Sequence, residues 1–484
     1  MPSCIQSCAT LTGEHLSGVI TILVSALHIS GFILIIHALF RKHSPQGTIA
    51  WVLGMALLPG ITVPLYLILG AARIRRHTSM RKGRENIQKY LRQHGAWNPP
   101  QGTLEKTLCN CTGYAPCSGN KVSILKDGNN TYLDLLRAIS NARQSILVEF
   151  FIIRNDRVGN TLREALEERA RAGVQVCIIY DEVGSHKLPA GYLRSLKRAG
   201  VQVASFNGRR FWLSSILRIN YRNHRKLVII DNSLAYLGSL NIGLEYTRSP
   251  HRPYWRDTFV SLRGPIVTQC QLSFLDDWQR ATGTTPDTPE TSGTAPAQQP
   301  EKQQCQLVPS GPDDHPMNTW QLLLLQLASL AQQRLWLASP YFVPSEAVKE
   351  ALCAAAMRGV DVRILIPERG DNRAAELAML TFIPDMLSCG VHMLAYTPGF
   401  LHEKVCIMDS STCSIGTANL DERSLRLNFE LTLLMEDTAA TAGVSAMLEQ
   451  DMSDSLAITP ARWYKAPWMI RLLANCCRLL SPAL

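Results

Sequence analysis

One stretch of this 484-residue chain is written twice. NHRKLVIIDNSLAYLGSLN (residues 223–241) and LHEKVCIMDSSTCSIGTAN (401–419) both carry the pattern H-x-K-x-x-x-x-D: His224, Lys226 and Asp231 in one, His402, Lys404 and Asp409 in the other. Each copy continues to a Gly-Ser or Gly-Thr pair, with Ser239 and Thr417, and reaches an asparagine, Asn241 or Asn419, seventeen residues after its histidine. A single such octet is a weak match. Two in register constrain the fold strongly, because their surroundings repeat as well: the apolar run Ser145–Ile153 and GVQVCIIYDE from Gly173 are answered by Arg334–Val343 and GVDVRILIPE from Gly359. Apolar strand-like runs alternating with helical stretches predict two α/β sandwiches with mostly parallel sheets, facing each other across a pseudo-twofold axis.

The spacing carries chemistry. Histidine and lysine two apart on a strand share a face, so one can attack while the other holds charge. LVII and VCIM are β-rich and suit a buried central strand. Asp231 and Asp409, although part of the catalytic motif, have the opposite parity and fall at the strand end, where they support the fold rather than react. Asn241 and Asn419 offer amide donors, and the small residues Ser239 and Thr417 let the backbone approach a phosphate. The doubled set supplies one nucleophile, one acid/base and four donors for phosphoryl oxygens, with no metal or other cofactor required. A reacting histidine also needs an acceptor to fix its tautomer. Asp257 in WRDTFV and Glu430 in NFELTL hold matched positions on the next strand of each copy and are the candidates for that role.

Location is written at the N-terminus. His15–Phe40 and Ser44–Ala72 contain no Asp, Glu, Lys or Arg, and each exceeds the ~20 residues that cross a bilayer core. Neither looks like a cleaved signal peptide, which has positive charge first and a shorter apolar run. Arg73, Arg75, Arg76, Arg81, Lys82 and Arg84 crowd the exit of the second segment and argue for a cytoplasmic body, while Pro59, Gly60 and Pro64 allow that segment to kink. The net charge of +10 favours acidic partners, and 46% apolar against 18% charged residues excludes a disordered chain. Fourteen scattered cysteines do not make a disulfide scaffold, and Cys109, Cys111 and Cys117 read as an ordinary loop rather than a zinc site.

The expected organisation is an N-terminal membrane region of two apolar segments (1–75), a basic connector (76–120), a first domain (121–280), a Thr/Pro/Gln-rich linker (281–304), a second domain (305–460) and a basic amphipathic C-terminal segment (461–484). The last is acid-free and carries Trp463, Tyr464 and Trp468 beside four basic residues, as suits a helix on an anionic membrane. Gly200–Ile230 is also acid-free, with arginines interleaved among aromatics; a path for lipid headgroups explains it better than a nucleic-acid surface.

The paired motifs resemble those of the phospholipase D superfamily. AWVLGMALLPG with LYLILG, SPYFVPSE, GTANLDERSLRLNFE and PARWYKAPW extend the resemblance to bacterial cardiolipin synthases over nearly the full length. The resemblance implies two phospholipase D-like α-β-α domains behind a membrane hairpin in the bacterial inner membrane. It further implies phosphatidyl transfer from one phosphatidylglycerol to another through a phosphohistidine, with His224 as nucleophile and His402 as acid/base. Phosphatidylethanolamine is a further candidate donor. The alternatives are a membrane phospholipase D that releases phosphatidic acid and, behind it, a phosphodiesterase acting on nucleic acid.

Overall fold

The computed structural model describes residues 2–40, 45–67, 80–206, 221–249, 254–286, 303–314 and 317–481. The N-terminal helices (within Met1–Arg75) and the duplicated body (Arg76–Gly208 with Tyr221–Leu484) are separate compact units.

In the N-terminal unit one helix covers Pro2–Leu39, and its Thr21–Leu39 part is long and apolar enough to cross a membrane. The second apolar segment breaks in two, Pro45–Leu57 and Pro59–Leu65, where Pro59 interrupts the hydrogen-bond ladder. At about 1.5 Å per residue, the longer piece reaches about 20 Å, short of a bilayer core. Both pieces pack on the first helix, and the Tyr66 hydroxyl meets His37 Nδ1 at 2.9 Å. The basic exit at Arg73, Arg75 and Arg76 lies outside the described residues.

The body is built from two sets of seven principal strands. The first set is β1 (Cys117–Lys126), β2 (Ser145–Phe150), β3 (Gln175–Asp181), β4 (Gln202–Phe206), β5 (Lys226–Ile230), β6 (Leu234–Gly238) and β7 (Thr258–Arg263). The second is β8 (Gln303–Ser310), β9 (Arg334–Ala338), β10 (Asp361–Pro367), β11 (His392–Tyr396), β12 (Val405–Met408), β13 (Thr412–Gly416) and β14 (Asn428–Glu436). Their order in one continuous sheet is a palindrome: β4-β3-β2-β5-β6-β7-β1, then β8-β14-β13-β12-β9-β10-β11, closed by a short edge strand Ser455–Ala457. The antiparallel contact of β1 with β8 joins the halves.

Among these principal strands β2, β3 and β4, and likewise β9, β10 and β11, run parallel, and their other pairings within each half are antiparallel. The expectation of mostly parallel sheets is thus corrected. Strand–helix–strand crossovers end with β4 and β11; beyond them one tight hairpin in each half, β5 to β6 and β12 to β13, returns the chain antiparallel. At these hairpins Asp231, Asn232 and Asp409 adopt φ values of 50°, 51° and 54°, a left-handed conformation that Asp and Asn tolerate best after glycine. Every residue of β5 is buried, as a strand covered on both faces requires.

The connector is not a loop. Cys109 and Cys111 lie in the helix Thr103–Thr112, whose Leu104 and Leu108 join the core of the second half, and Cys117 opens β1. Apolar spacing at i and i+4 draws this helix inward. Residues 287–302 of the linker, and residues 207–220 with half of the basic-aromatic patch, lie outside the described residues. The C-terminal helix Trp468–Leu479 packs on Arg373–Leu380 through Ala474 and Cys477, while Trp468 and Leu472 stay 72% and 57% exposed. An apolar face turned outward is not that of a plain packing helix. Its basic charge is partly spent, since Arg478 pairs with Glu346 and Arg462 donates to the Glu368 carbonyl.

Candidate active site

The two motif strands bring their histidines to one place. His224 and His402 both line a cavity of about 330 Å³ and are nearly buried. The chain just before each histidine does not stay with its own half: Arg222–Asn223 runs parallel to Asn428–Phe429, and Phe400–Leu401 runs parallel to Trp255–Arg256. The amide of His224 donates to the Phe429 carbonyl, and that of His402 to the Arg256 carbonyl.

This crossing decides which carboxylate meets which imidazole. His224 Nδ1 lies 2.9 Å from Glu430 Oε2, and His402 Nδ1 lies 2.7 Å from Asp257 Oδ1. Asp257 and Glu430 therefore sit where an orienting acceptor must sit, each serving the histidine of the opposite half. The sequence pairs them by position but cannot show the exchange, because parallel pairing between halves leaves no trace in local pattern. With Nδ1–H donated to a carboxylate, Nε2 is the nitrogen left for chemistry.

Burial lowers the pKa of both histidines. His224 is pushed down to about 4 by burial and by Lys226, against the opposing pull of Glu430. His402 is lowered by burial and by Lys404, against Asp257. Burial alone would raise the two carboxyls, but the histidine and lysine partners overcome it and hold Asp257 and Glu430 below their ordinary range. Asp257 and Glu430 are thus held ionised, and His224 rests as a neutral imidazole.

Lys226 and Lys404 are buried, and each Nζ donates to the carbonyl of its own histidine, for Lys226 at 2.7 Å. Two ammonium hydrogens remain on each. Burial lowers both lysines, Lys404 to about 8. Asn241 and Asn419 line the cavity as expected. The Asn241 carbonyl accepts the Ile152 amide and its NH₂ donates to Tyr246, while the Asn419 NH₂ donates to Asp421.

Ser239 and Thr417 correct the expectation of phosphate contact. Each is fully buried; the Ser239 hydroxyl donates to Asp257 Oδ1 and that of Thr417 to Glu430 Oε2, both at 2.6 Å. A hydroxyl one residue from a buried carboxylate strand satisfies that charge before it reaches the cavity. Asp231 and Asp409 likewise stand away from the cavity. Asp231 accepts the backbone N–H groups of Arg143, Gln144 and Ser145 at the start of β2, and Asp409 those of Gln332, Gln333 and Arg334 at the start of β9. They tie hairpin to neighbouring strand.

Several cavity residues escape the motif. Tyr246 and Trp255 stand beside the His402 ring, Trp255 at 5.1 Å between centroids, and Phe151 stands 5.0 Å from the His224 ring. Tyr341, whose hydroxyl donates to Asp371 at 2.7 Å, and the arginines Arg154, Arg222 and Arg423 also line it. Arg222 could have been suspected from its place two residues before His224, on the same strand face.

Comparison with known proteins agrees with this geometry. The family model described as "Cardiolipin synthase, PLD-like domain" matches residues 135–251 and 324–452, and "Phospholipase_D-nuclease N-terminal" matches 31–70. The chain is 38% identical over 475 residues to cardiolipin synthase A of Pseudomonas putida (strain W619), covering 95% of this chain and 97% of that one. It is 37% identical over 475 residues to cardiolipin synthase A of Pseudomonas aeruginosa (strain LESB58), covering 96% of each. The crystal structure of phosphatidylserine synthase from Haemophilus influenzae Rd KW20 aligns with a TM-score of 0.57 at 14% identity, over 82% of this chain and 100% of that one, which speaks for the fold.

Proposed function

The chain belongs to the phospholipase D-like cardiolipin synthase family, a phosphatidyltransferase family, and from that premise we propose that it joins two phosphatidylglycerol molecules into cardiolipin and glycerol through a phosphohistidine. The observation that carries the reading is the shared cavity, in which two imidazoles have Nδ1 tied to a carboxylate and Nε2 left over.

In the first step Nε2 of His224 attacks the donor phosphorus, and His402 gives a proton to the departing glycerol oxygen as the P–O bond breaks. His402, now neutral, takes the proton of the incoming hydroxyl, whose oxygen displaces His224 from phosphorus. The assignment of His224 as nucleophile is the one the family resemblance implies, and His224, pushed down to about 4, stays neutral for it. Lys226, Lys404, Asn241 and Asn419 serve the phosphoryl oxygens, and Asp257 and Glu430 orient.

It is a membrane protein. We place its body on the cytoplasmic face of the inner membrane, with two N-terminal passes and with the exposed aromatic face of Trp468–Leu479 resting on anionic lipid. Ser481, just past that helix, lines the cavity, so a lipid held at this face lies close to the histidines.

Purified full-length protein given phosphatidylglycerol alone is expected to form cardiolipin and release glycerol. Phosphatidic acid as the sole product would overturn the transfer reading in favour of hydrolysis. Ethanolamine release on adding phosphatidylethanolamine would extend the donor range.

A further inference from the structure

One flank of the cavity holds positive charge that the two-histidine chemistry leaves unassigned. Arg222 lies in the short strand Arg222–Asn223 and Arg423 in the helix Glu422–Arg426, and both line the cavity shared by His224 and His402. The Nε of Arg222 is buried with no hydrogen-bond partner. Asp181, the acid that acts on it, is already committed: Oδ1 accepts from the amides of Val183 and Gly184, and Oδ2 from that of Asn223.

The buried arginines Arg225 and Arg256 are matched within the protein, Arg225 by Asp277 and Arg256 by Asp451 and Glu403. Arg222 is not. Burial lowers its pKa, and burial together with the charge of Arg222 lowers that of Arg423. The pair also has no counterpart across the pseudo-twofold. Two residues before His402 stands Phe400, packed on Trp255, and four residues after Asn241 stands Glu245, bound to Arg154 at 3.0 Å.

We propose that Arg222 and Arg423 form a subsite for the phosphodiester that is not attacked, the phosphate carried by the acceptor phosphatidylglycerol. This rests on the reading of the chain as a cardiolipin-forming transferase. That reaction must bring a second anionic phosphodiester beside the reacting one. Guanidiniums, with planar paired donors and a permanent charge, are suited to hold it there. Transfer to an alcohol without phosphate has no use for such a site.

The test compares two reactions of the full-length protein in phosphatidylglycerol micelles: cardiolipin formation, and exchange of radiolabelled glycerol into phosphatidylglycerol. Both use the same first step, but only the former presents a second phosphate. Arg222→Gln is expected to slow cardiolipin formation about tenfold or more while exchange changes less than about twofold, with Arg222→Lys intermediate. Arg423→Gln should show the same split and carries the comparison if Arg222→Gln fails to fold. Equal loss in both reactions at an unchanged melting temperature would put the guanidiniums on the reacting phosphoryl group and overturn the proposal, as would unaltered cardiolipin formation. Unsubstituted protein that yields phosphatidic acid and no cardiolipin overturns the functional reading itself, and the subsite with it.

Discussion

The half of the site around His224 and the half around His402 share a skeleton and differ in charge. Each has an imidazole on a carboxylate from the opposite repeat, a lysine on the histidine carbonyl, and a hydroxyl on the carboxylate. The residue between histidine and lysine reverses sign, from Arg225 to Glu403. Arg225 meets Asp277 of the helix Ile266–Thr282 directly, whereas Glu403 reaches Asp451 of the helix Thr438–Ser453 only through Arg256 between them. The cavity walls diverge only in part: Phe151 beside His224 matches the aromatics beside His402, but Arg222 stands two residues before the first histidine where Phe400 stands before the second. Duplication thus preserved what fixes the imidazoles and released part of what surrounds them.

Replacing either histidine tests that division most severely. His224→Ala and His402→Ala should each lower cardiolipin synthesis by at least about a thousandfold. A phosphodiester with a phenolate-type leaving group, which departs without a proton, should restore phosphoenzyme formation to His402→Ala and not to His224→Ala, as read by a burst of released phenolate. Restoration in the opposite variant would exchange the two roles.

The carboxylates come next. Glu430→Gln and Asp257→Asn should each reduce kcat on the order of 100-fold with little change in KM, because the imidazole loses its tautomer while the cavity keeps its shape. Glu430 also accepts from Ser424 and Asn428, whereas Asp257 Oδ2 has no partner, so Glu430→Gln should lower the melting temperature more.

A pH profile sharpens the contrast further. Lys404, lowered to about 8, loses its charge as pH rises through that value, and kcat/KM should fall there by several-fold. The same limb should vanish from Lys404→Met, which lacks the charge at every pH. On the acid side the neutral form of His224 persists down to about 4, so loss of the nucleophile should not limit the rate above pH 5. The smallest effects belong to Ser239→Ala and Thr417→Ala, each expected to cost about 1 kcal/mol of stability in thermal melts, with activity changed only several-fold.

Much of this was readable before any coordinates. A repeat in register announces two like halves, and residues two apart on a strand announce a shared face, so the histidines, lysines and asparagines stand where their spacing put them. Asp231 and Asp409 betrayed their structural role through parity alone. Ser239 and Thr417 were misjudged because a serine beside a glycine looks the same whether it faces a ligand or a buried carboxylate. The direction of the β2–β5 and β9–β12 pairings and the exchange of Glu430 and Asp257 between halves depend on contacts between distant segments, which local pattern does not encode. Arg222 and Arg423 are far apart in sequence and meet only through the crossing of the strands.

That crossing has a consequence for how the molecule is made. While the chain is still being synthesised, a finished first half holds an imidazole with nothing to orient it and an aspartate with nothing to orient. The ribosome must deliver residue 430 before His224 acquires its acceptor. A truncated or half-translated product therefore holds neither of the two histidine–carboxylate pairs of the whole molecule.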